Sequence, residues 1–180
     1  MDNYIRVFDN VIEDSLCDAM IKKFEDVPIQ HQRVSNGGSQ FTQLELFKYD
    51  EWKNEVKYIS QKFNQAVVNY AESCNIKNQW PTKYAYESFR MKRYLPDGID
   101  RFEAHVDVSD INNCRRFLVF FLYLNDNEGG STSFPQLDLN TKCKKGSMLM
   151  FPPLWPWLHS GEKPIDKPKY ILGSYLQYIA

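Results

Sequence analysis

Histidine is scarce in this chain, with three in 180 residues at His31, His105 and His159, so a metal centre built on imidazole has few rings to draw on. Cysteine is nearly as sparse. Cys17, Cys74, Cys114 and Cys143 form no Cys-x-x-Cys pair and no dense disulfide framework, and reduced thiols are expected. The opening Met1-Asp2-Asn3-Tyr4 has no basic segment followed by an apolar run, so no signal peptide is expected. No uninterrupted apolar stretch approaches the roughly 20 residues of a spanning helix. Neither sign of charge is in excess: 22 Lys plus Arg stand against 23 Asp plus Glu. That balance gives no case for nucleic acid or an anionic membrane as main partner. A cytoplasmic protein is expected, or one of the host cytoplasm were the gene carried by a phage.

What is present fits one domain able to bury its own core. No internal repeat, low-complexity tract or interdomain linker occurs. Tyr4 to Phe8 reads as a short strand. A helix from about Ser15, with Leu16, Met20, Ile21 and Phe24 on one stripe and Ser15 with Asp18 as a starting box, ends at Pro28. Arg33 to Gln40, with Gly37-Gly38, reads as loop material, a connection or else a mobile flap over the site. A second helix follows, capped by Asp50, with Trp52, Val56, Ile59, Phe63, Val67, Tyr70 and Cys74 at steps of three and four. Beyond Pro81 the pattern turns to strands: 84–94, 102–108, 116–125, 131–134, 145–151, 159–161 and 169–179, separated by turn sequences such as Pro96-Asp97-Gly98. The run 117–124 is continuously apolar and should be covered on both faces. The expected fold is therefore mostly β with N-terminal helices, helical support over about 1–80 and a jelly-roll core over about 81–180. Arg90, Lys92 and Arg93 read as a solvated strand face.

The chemistry-bearing pattern lies in the second half. His105 and Asp107 stand two apart and, on a strand, would share one face. His159 follows the apolar Gly146 to Phe151 and the aromatic Trp155-Pro156-Trp157. Two imidazoles and one carboxylate make the facial set of non-haem iron sites, which leaves coordination positions open. Lys169 enters a β-type segment ten residues further on, and no arginine occurs after Arg116, so an anion held near His159 would have to find a lysine.

In these features the chain resembles the 2-oxoglutarate- and Fe(II)-dependent dioxygenases, and within them the prolyl 4-hydroxylase-like branch. The likeness covers about Phe89 to Tyr178. It rests on His105-x-Asp107, on Phe121-Leu122-Tyr123-Leu124-Asn125 leading to Gly129-Gly130-Ser131-Thr132, on Lys145-Gly146-Ser147, on His159 and on Lys169. It implies a double-stranded β-helix, with His105, Asp107 and His159 holding iron and Lys169 pairing with the distal carboxylate of 2-oxoglutarate. Tyr94 and Thr132 match positions whose hydroxyls help hold that cosubstrate. Arg116 matches an arginine near the peptide site. Phe102 stands where the branch commonly has the tyrosine of Tyr-Glu-Pro-His, and Tyr175 where it has a tryptophan, so both are candidate substrate contacts that depart from the pattern.

The resemblance implies dioxygen as second substrate and a reductant, with ascorbate the candidate. It also implies decarboxylation of 2-oxoglutarate to succinate, coupled to hydroxylation of a proline-containing peptide or protein. Met148, Met150, Phe151 and Trp157 are candidate apolar walls, although core packing accounts for them equally. Other readings stay open: an oxygenase acting on another side chain or a small molecule, a zinc hydrolase on the same ligands, or a non-enzymatic metal-binding module.

Overall fold

The computed structural model describes residues 2–180. Its strands in chain order are β1 (Arg6–Phe8), β2 (Gln32–Asn36), β3 (Ser39–Glu45), β4 (Tyr84–Tyr86), β5 (Arg90–Tyr94), β6 (Arg101–His105) and β7 (Arg116–Tyr123), followed by β8 (Thr132–Phe134), β9 (Leu139–Thr141), β10 (Met148–Phe151), β11 (His159–Gly161) and β12 (Lys169–Tyr178). Two helices, α1 (Asp14–Asp26) and α2 (Lys53–Ser73), complete it. Neither is long and apolar enough to cross a membrane.

All pairings are antiparallel, in the order β1-β10-β7-β12-β5-β3-β6-β11-β8-β9, with β2 on β3 and β4 on β12. The sheet curls into a nearly closed, jelly-roll-like barrel, bringing Phe134 of β8 within 4.8 Å of the Phe151 ring of β10. Strand alternation then sorts side chains into two layers. On β7, Leu118, Phe120 and Leu122 turn outward and pack with Phe24, Ile59, Phe63 and Val67 of the helices. Val119 and Tyr123 turn inward and join Tyr94, Phe134, Leu149 and Ile171. The run 117–124 is thus covered on both faces, as its lack of polar alternation predicts.

Several sequence expectations are corrected. The first helix begins at Asp14 after an N-cap Glu13 that makes no side-chain capping bond. Ser15 and Asp18 form no starting box, and Asp18 instead accepts from Lys145 Nζ at 2.7 Å. Asp50 does not cap α2, which starts from Trp52 after a 3-10 turn. The segment read as a loop, 33–40, is the β2–β3 hairpin, turning at Gly37 with φ +45°. Its polar sequence hid it, because β2 is a sheet edge on which only Val34 is even partly covered. The expected strand 84–94 breaks into β4 and β5, and β9 has no sequence signal beyond three residues. Met148 and Met150 face the helix layer, whereas Phe151 and Trp157 belong with the inner cluster, and Phe151 sets its ring 4.7 Å from that of His159. All four cysteines are free thiols. Burial pushes Cys17 and Cys143 up to about 11, which makes them inert rather than nucleophilic.

Candidate metal centre and its cavity

Two strands of the barrel, β6 and β11, carry the two candidate imidazole ligands. His159 opens β11 opposite His105, the last residue of β6, and their ring centroids lie 4.3 Å apart. The expected strand 102–108 stops at His105. Asp107 is brought in by a bend held from outside, where the backbone N–H groups of Asp107 and Val108 both donate to the carbonyl of Pro153 at 3.1 Å. Asp107 Oδ1 lies 3.6 Å from His105 Nε2 and Oδ2 lies 3.4 Å from His159 Nε2. Among the described residues these three form a group whose ligand atoms all lie within 4.8 Å of one another.

The fit to a metal is visible in what these atoms lack. His105 Nε2, Asp107 Oδ2 and His159 Nε2 are all buried without a hydrogen-bond partner, a cost that a native protein carries at a site meant to be filled. Each imidazole is oriented from behind. Nδ1 of His105 sits 2.8 Å from the Glu103 carbonyl and Nδ1 of His159 3.1 Å from that of Trp157. With the proton on Nδ1 in both, Nε2 is left as lone-pair donor. Burial pulls the His159 pKa down to about 4. Burial acts upward on Asp107, but His105, His159 and the Tyr175 hydroxyl outweigh it and hold it at about 2. At neutral pH His159 is therefore a neutral ring and Asp107 an ionised carboxylate, the protonation states that metal ligation requires of them. The third histidine is structural: His31 stacks on Phe24 at 4.0 Å, with Nε2 2.9 Å from its carbonyl.

Behind Asp107 stand two residues that sequence placed at the substrate. Tyr175 donates its hydroxyl to Asp107 Oδ1 at 2.6 Å. Arg116 lies over the Tyr175 ring at 3.8 Å, donates to the Asp107 carbonyl at 3.1 Å and grips Glu87 with two bonds of 2.6 and 2.9 Å. Arg116 does not line the cavity. Glu87 was not anticipated, since nothing in the sequence links it to position 116. Tyr175→Phe is expected to weaken metal binding about 10- to 100-fold with little change in melting temperature. Titration of the metal-free protein with a divalent ion reads this directly, and an unchanged dissociation constant would leave Tyr175 a packing residue only.

The cavity extends inward past the ligands, lined by Lys92, Tyr94, Phe102, Thr132, Lys169 and Tyr175, among others. Lys169 pairs in register with Tyr94 at the deep end. It is 2% exposed, and among the described residues no carboxylate stands within ion-pair distance. Its ammonium lies 5.4 Å from the Tyr94 ring and 5.8 Å from that of Tyr123. Burial lowers its pKa. Gly130 makes room for it, because a Cβ there would come within 2.8 Å of the Lys169 side chain. Thr132 Oγ1 is 2.8 Å from the Tyr123 hydroxyl, which also meets Thr141 at 3.2 Å. Tyr123 and Thr141, unassigned from sequence, thus fix the hydroxyl expected to face a cosubstrate. Phe102 sets its ring edge-on to His105 at 3.8 Å.

Lys92 corrects the reading of a solvated strand face. Arg93 does turn outward, to Glu25 of α1, but Lys92 turns inward with Tyr94. Its ammonium lies 4.7 Å from the Phe41 ring and 5.2 Å from Phe102. The signal was available: positions 92 and 94 share a strand face. Burial pulls Lys92 down to about 8 against the opposing attraction of Asp107. A lysine depressed on folding weakens the fold below about pH 8 and ceases to do so above its unfolded value, so stability rises across that interval. The metal-free protein should accordingly gain on the order of 1 kcal/mol relative to Lys92→Met between pH 8 and 10.5. Urea unfolding at a series of pH values checks this, and parallel curves would refute it.

A wider surface groove lined by Asp126, Glu128, Lys142 and Lys167 has mixed charge and none of the grouped ligands.

Comparison with known proteins agrees with this geometry. Residues 89–177 match the family model described as the 2OG-Fe(II) oxygenase superfamily. No curated protein matches the sequence. Among solved structures, the chain is similar to a viral collagen prolyl hydroxylase from Paramecium Bursaria Chlorella virus-1, with 22% identity, 98% of this chain and 97% of that one covered, and a TM-score of 0.71. It is similar to a prolyl-4-hydroxylase from Pseudomonas putida at 12% identity, covering 98% and 94%, with a TM-score of 0.72. A prolyl hydroxylase from Trichoplax adhaerens, solved with a hypoxia inducible factor oxygen degradation domain peptide, shares 15% identity over 97% and 84% with a TM-score of 0.75. At these identities the likeness speaks for the fold.

Proposed function

Since residues 89–177 place the chain in the 2OG-Fe(II) oxygenase superfamily, we propose that it is a prolyl hydroxylase acting on a peptide or protein. It would convert 2-oxoglutarate, dioxygen and a substrate C–H bond into succinate, carbon dioxide and the corresponding alcohol. The whole chain serves as one catalytic unit in this reading, working in the cytoplasm. The observation that carries it is the pairing of an unsatisfied His-Asp-His set with a buried, uncompensated lysine in one cavity.

His105, Asp107 and His159 would hold the ferrous ion. When bound, iron supplies redox equivalents and open coordination positions for oxygen activation. The chain's own residues do the rest. Lys169 attracts the distal carboxylate of the keto acid, which supplies the counter-charge that its burial lacks. Thr132, held by Tyr123, and Tyr94 offer hydroxyls along the same path. Phe102, Phe121 and Phe151 keep the ligand pocket dry, which strengthens every charge interaction within it. A zinc hydrolase would need a general base, and among the described residues the only carboxylate lining the cavity is Asp107, itself a candidate ligand.

The prolyl substrate is supported by the solved structures of similar fold, whose named activities are prolyl hydroxylation. Mass spectrometry of proline-rich peptides incubated with iron and 2-oxoglutarate, with ascorbate as reductant, tests it. Addition of one oxygen atom to proline, absent when 2-oxoglutarate is withheld, is expected. Succinate formed with another residue modified would overturn the prolyl assignment alone.

A further inference from the structure

Lys92 is a cation for which the chemistry above has no use. Resting on the oxygenase reading, we infer that Lys92 is a specificity-determining residue that binds a carboxylate of the substrate, so that the preferred peptide carries an acidic residue close to the proline that is hydroxylated.

The argument begins with position. On β5, Lys92 and Tyr94 share the inner face, and across the pairing Tyr94 faces Lys169 while Lys92 faces Ile171. Two residues along a strand amount to about 6–7 Å. The two lysines are therefore rooted one step apart, with Lys169 at the deep end and Lys92 toward Tyr175 and Asp107. Its ammonium lies near Phe102, the ring that touches His105. Lys92 thus stands beside the candidate metal ligands in the same cavity as Lys169, rooted one strand step nearer to Tyr175.

Charge comes next. Lys92 has no hydrogen bond or ion pair among the described residues, only the faces of Phe41 and Phe102. Neighbouring carboxylates are committed elsewhere: Glu87 is gripped by Arg116 and lies 3.9 Å from Arg90, Asp100 pairs with Arg33, and Glu103 with Arg101. A ferrous ion and a dianionic keto acid cancel one another, and Asp107 offsets one of the two lysines. One positive charge then remains within an aromatic wall, where an unpaired ion is costly. A group with a single negative charge matches it, and a carboxylate is that group in a peptide.

The test measures binding, with no turnover. Zinc-loaded protein is saturated with N-oxalylglycine, an unreactive mimic of the keto acid. Fluorescence anisotropy then gives affinities for labelled proline-centred peptides carrying one Glu, or one Gln in its place, at each position within three residues of the proline. At least one Glu peptide is expected to bind about tenfold or more tightly than its Gln twin. That preference should vanish in Lys92→Gln and persist in Lys92→Arg, with N-oxalylglycine affinity the same in all three proteins. The assignment is overturned if no Glu peptide is preferred, or if the preference survives Lys92→Gln. It is overturned in favour of a cosubstrate contact if Lys92→Gln weakens N-oxalylglycine. Failure of the wild-type protein to bind N-oxalylglycine at all would remove the oxygenase reading first, and this inference with it.

Discussion

Asp107→Ala is expected to abolish iron-dependent succinate formation, leaving less than about a thousandth of the wild-type rate. Asp107 is the sole carboxylate in the ligand set, and two imidazoles alone do not complete the facial triad. The loss should show in binding as well as in turnover. A metal that binds only the folded protein stabilises it by about 2.7 kcal/mol at a hundred times its dissociation constant, so wild-type protein should melt higher in saturating divalent ion and the variant should not. Without metal the change is smaller. The Tyr175 hydroxyl loses its acceptor, worth about 1–2 kcal/mol. Asp107→Glu keeps the charge but moves it by one methylene, and a misplacement of about 1 Å can cost about 100-fold. Coupled succinate formation and differential scanning fluorimetry, read on all three proteins, test the assignment. Metal-induced stabilisation equal to wild type in Asp107→Ala would remove Asp107 from the centre.

The candidate ligands were legible because their types are rare and their spacing is short. His105 and Asp107 stand two apart, and His159 and Lys169 fall in a stretch with no competing histidine or arginine. The fold was legible where apolar residues were continuous or periodic, as in β7 and α2. What escaped was the polar edge and the contacts across the barrel. The β2–β3 hairpin buries too little to leave an alternating pattern. Glu87 meets Arg116 and Tyr123 meets Thr132 only because non-adjacent strands curl together. Tyr175 was singled out as an aromatic at the cavity, which it lines, but nothing in the sequence ties its hydroxyl to Asp107. Lys92 was hidden by its basic neighbours, and strand parity alone separates it from Arg93.

Lys169→Met is expected to change affinity and stability in opposite directions. The keto acid should bind the variant about 100-fold or more weakly, because a charge-assisted bond inside a desolvated pocket is lost together with the cation at its deep end. The same substitution should make the ligand-free protein more stable by about 1–3 kcal/mol. In the wild type, folding places an ammonium beside Tyr94 and Tyr123 with no carboxylate of the described residues within ion-pair distance, and the downward pKa shift from burial has the sign of that penalty. Methionine fills similar volume with no charge to desolvate. Since a lysine depressed on folding destabilises only while protonated, the advantage of the variant should shrink as the pH is raised toward the unfolded lysine value. Isothermal titration with N-oxalylglycine and urea unfolding at neutral and alkaline pH give both quantities on one pair of proteins. A variant that loses affinity and stability together would mean that Lys169 holds the barrel as well as the ligand. One that loses neither would place the keto acid elsewhere.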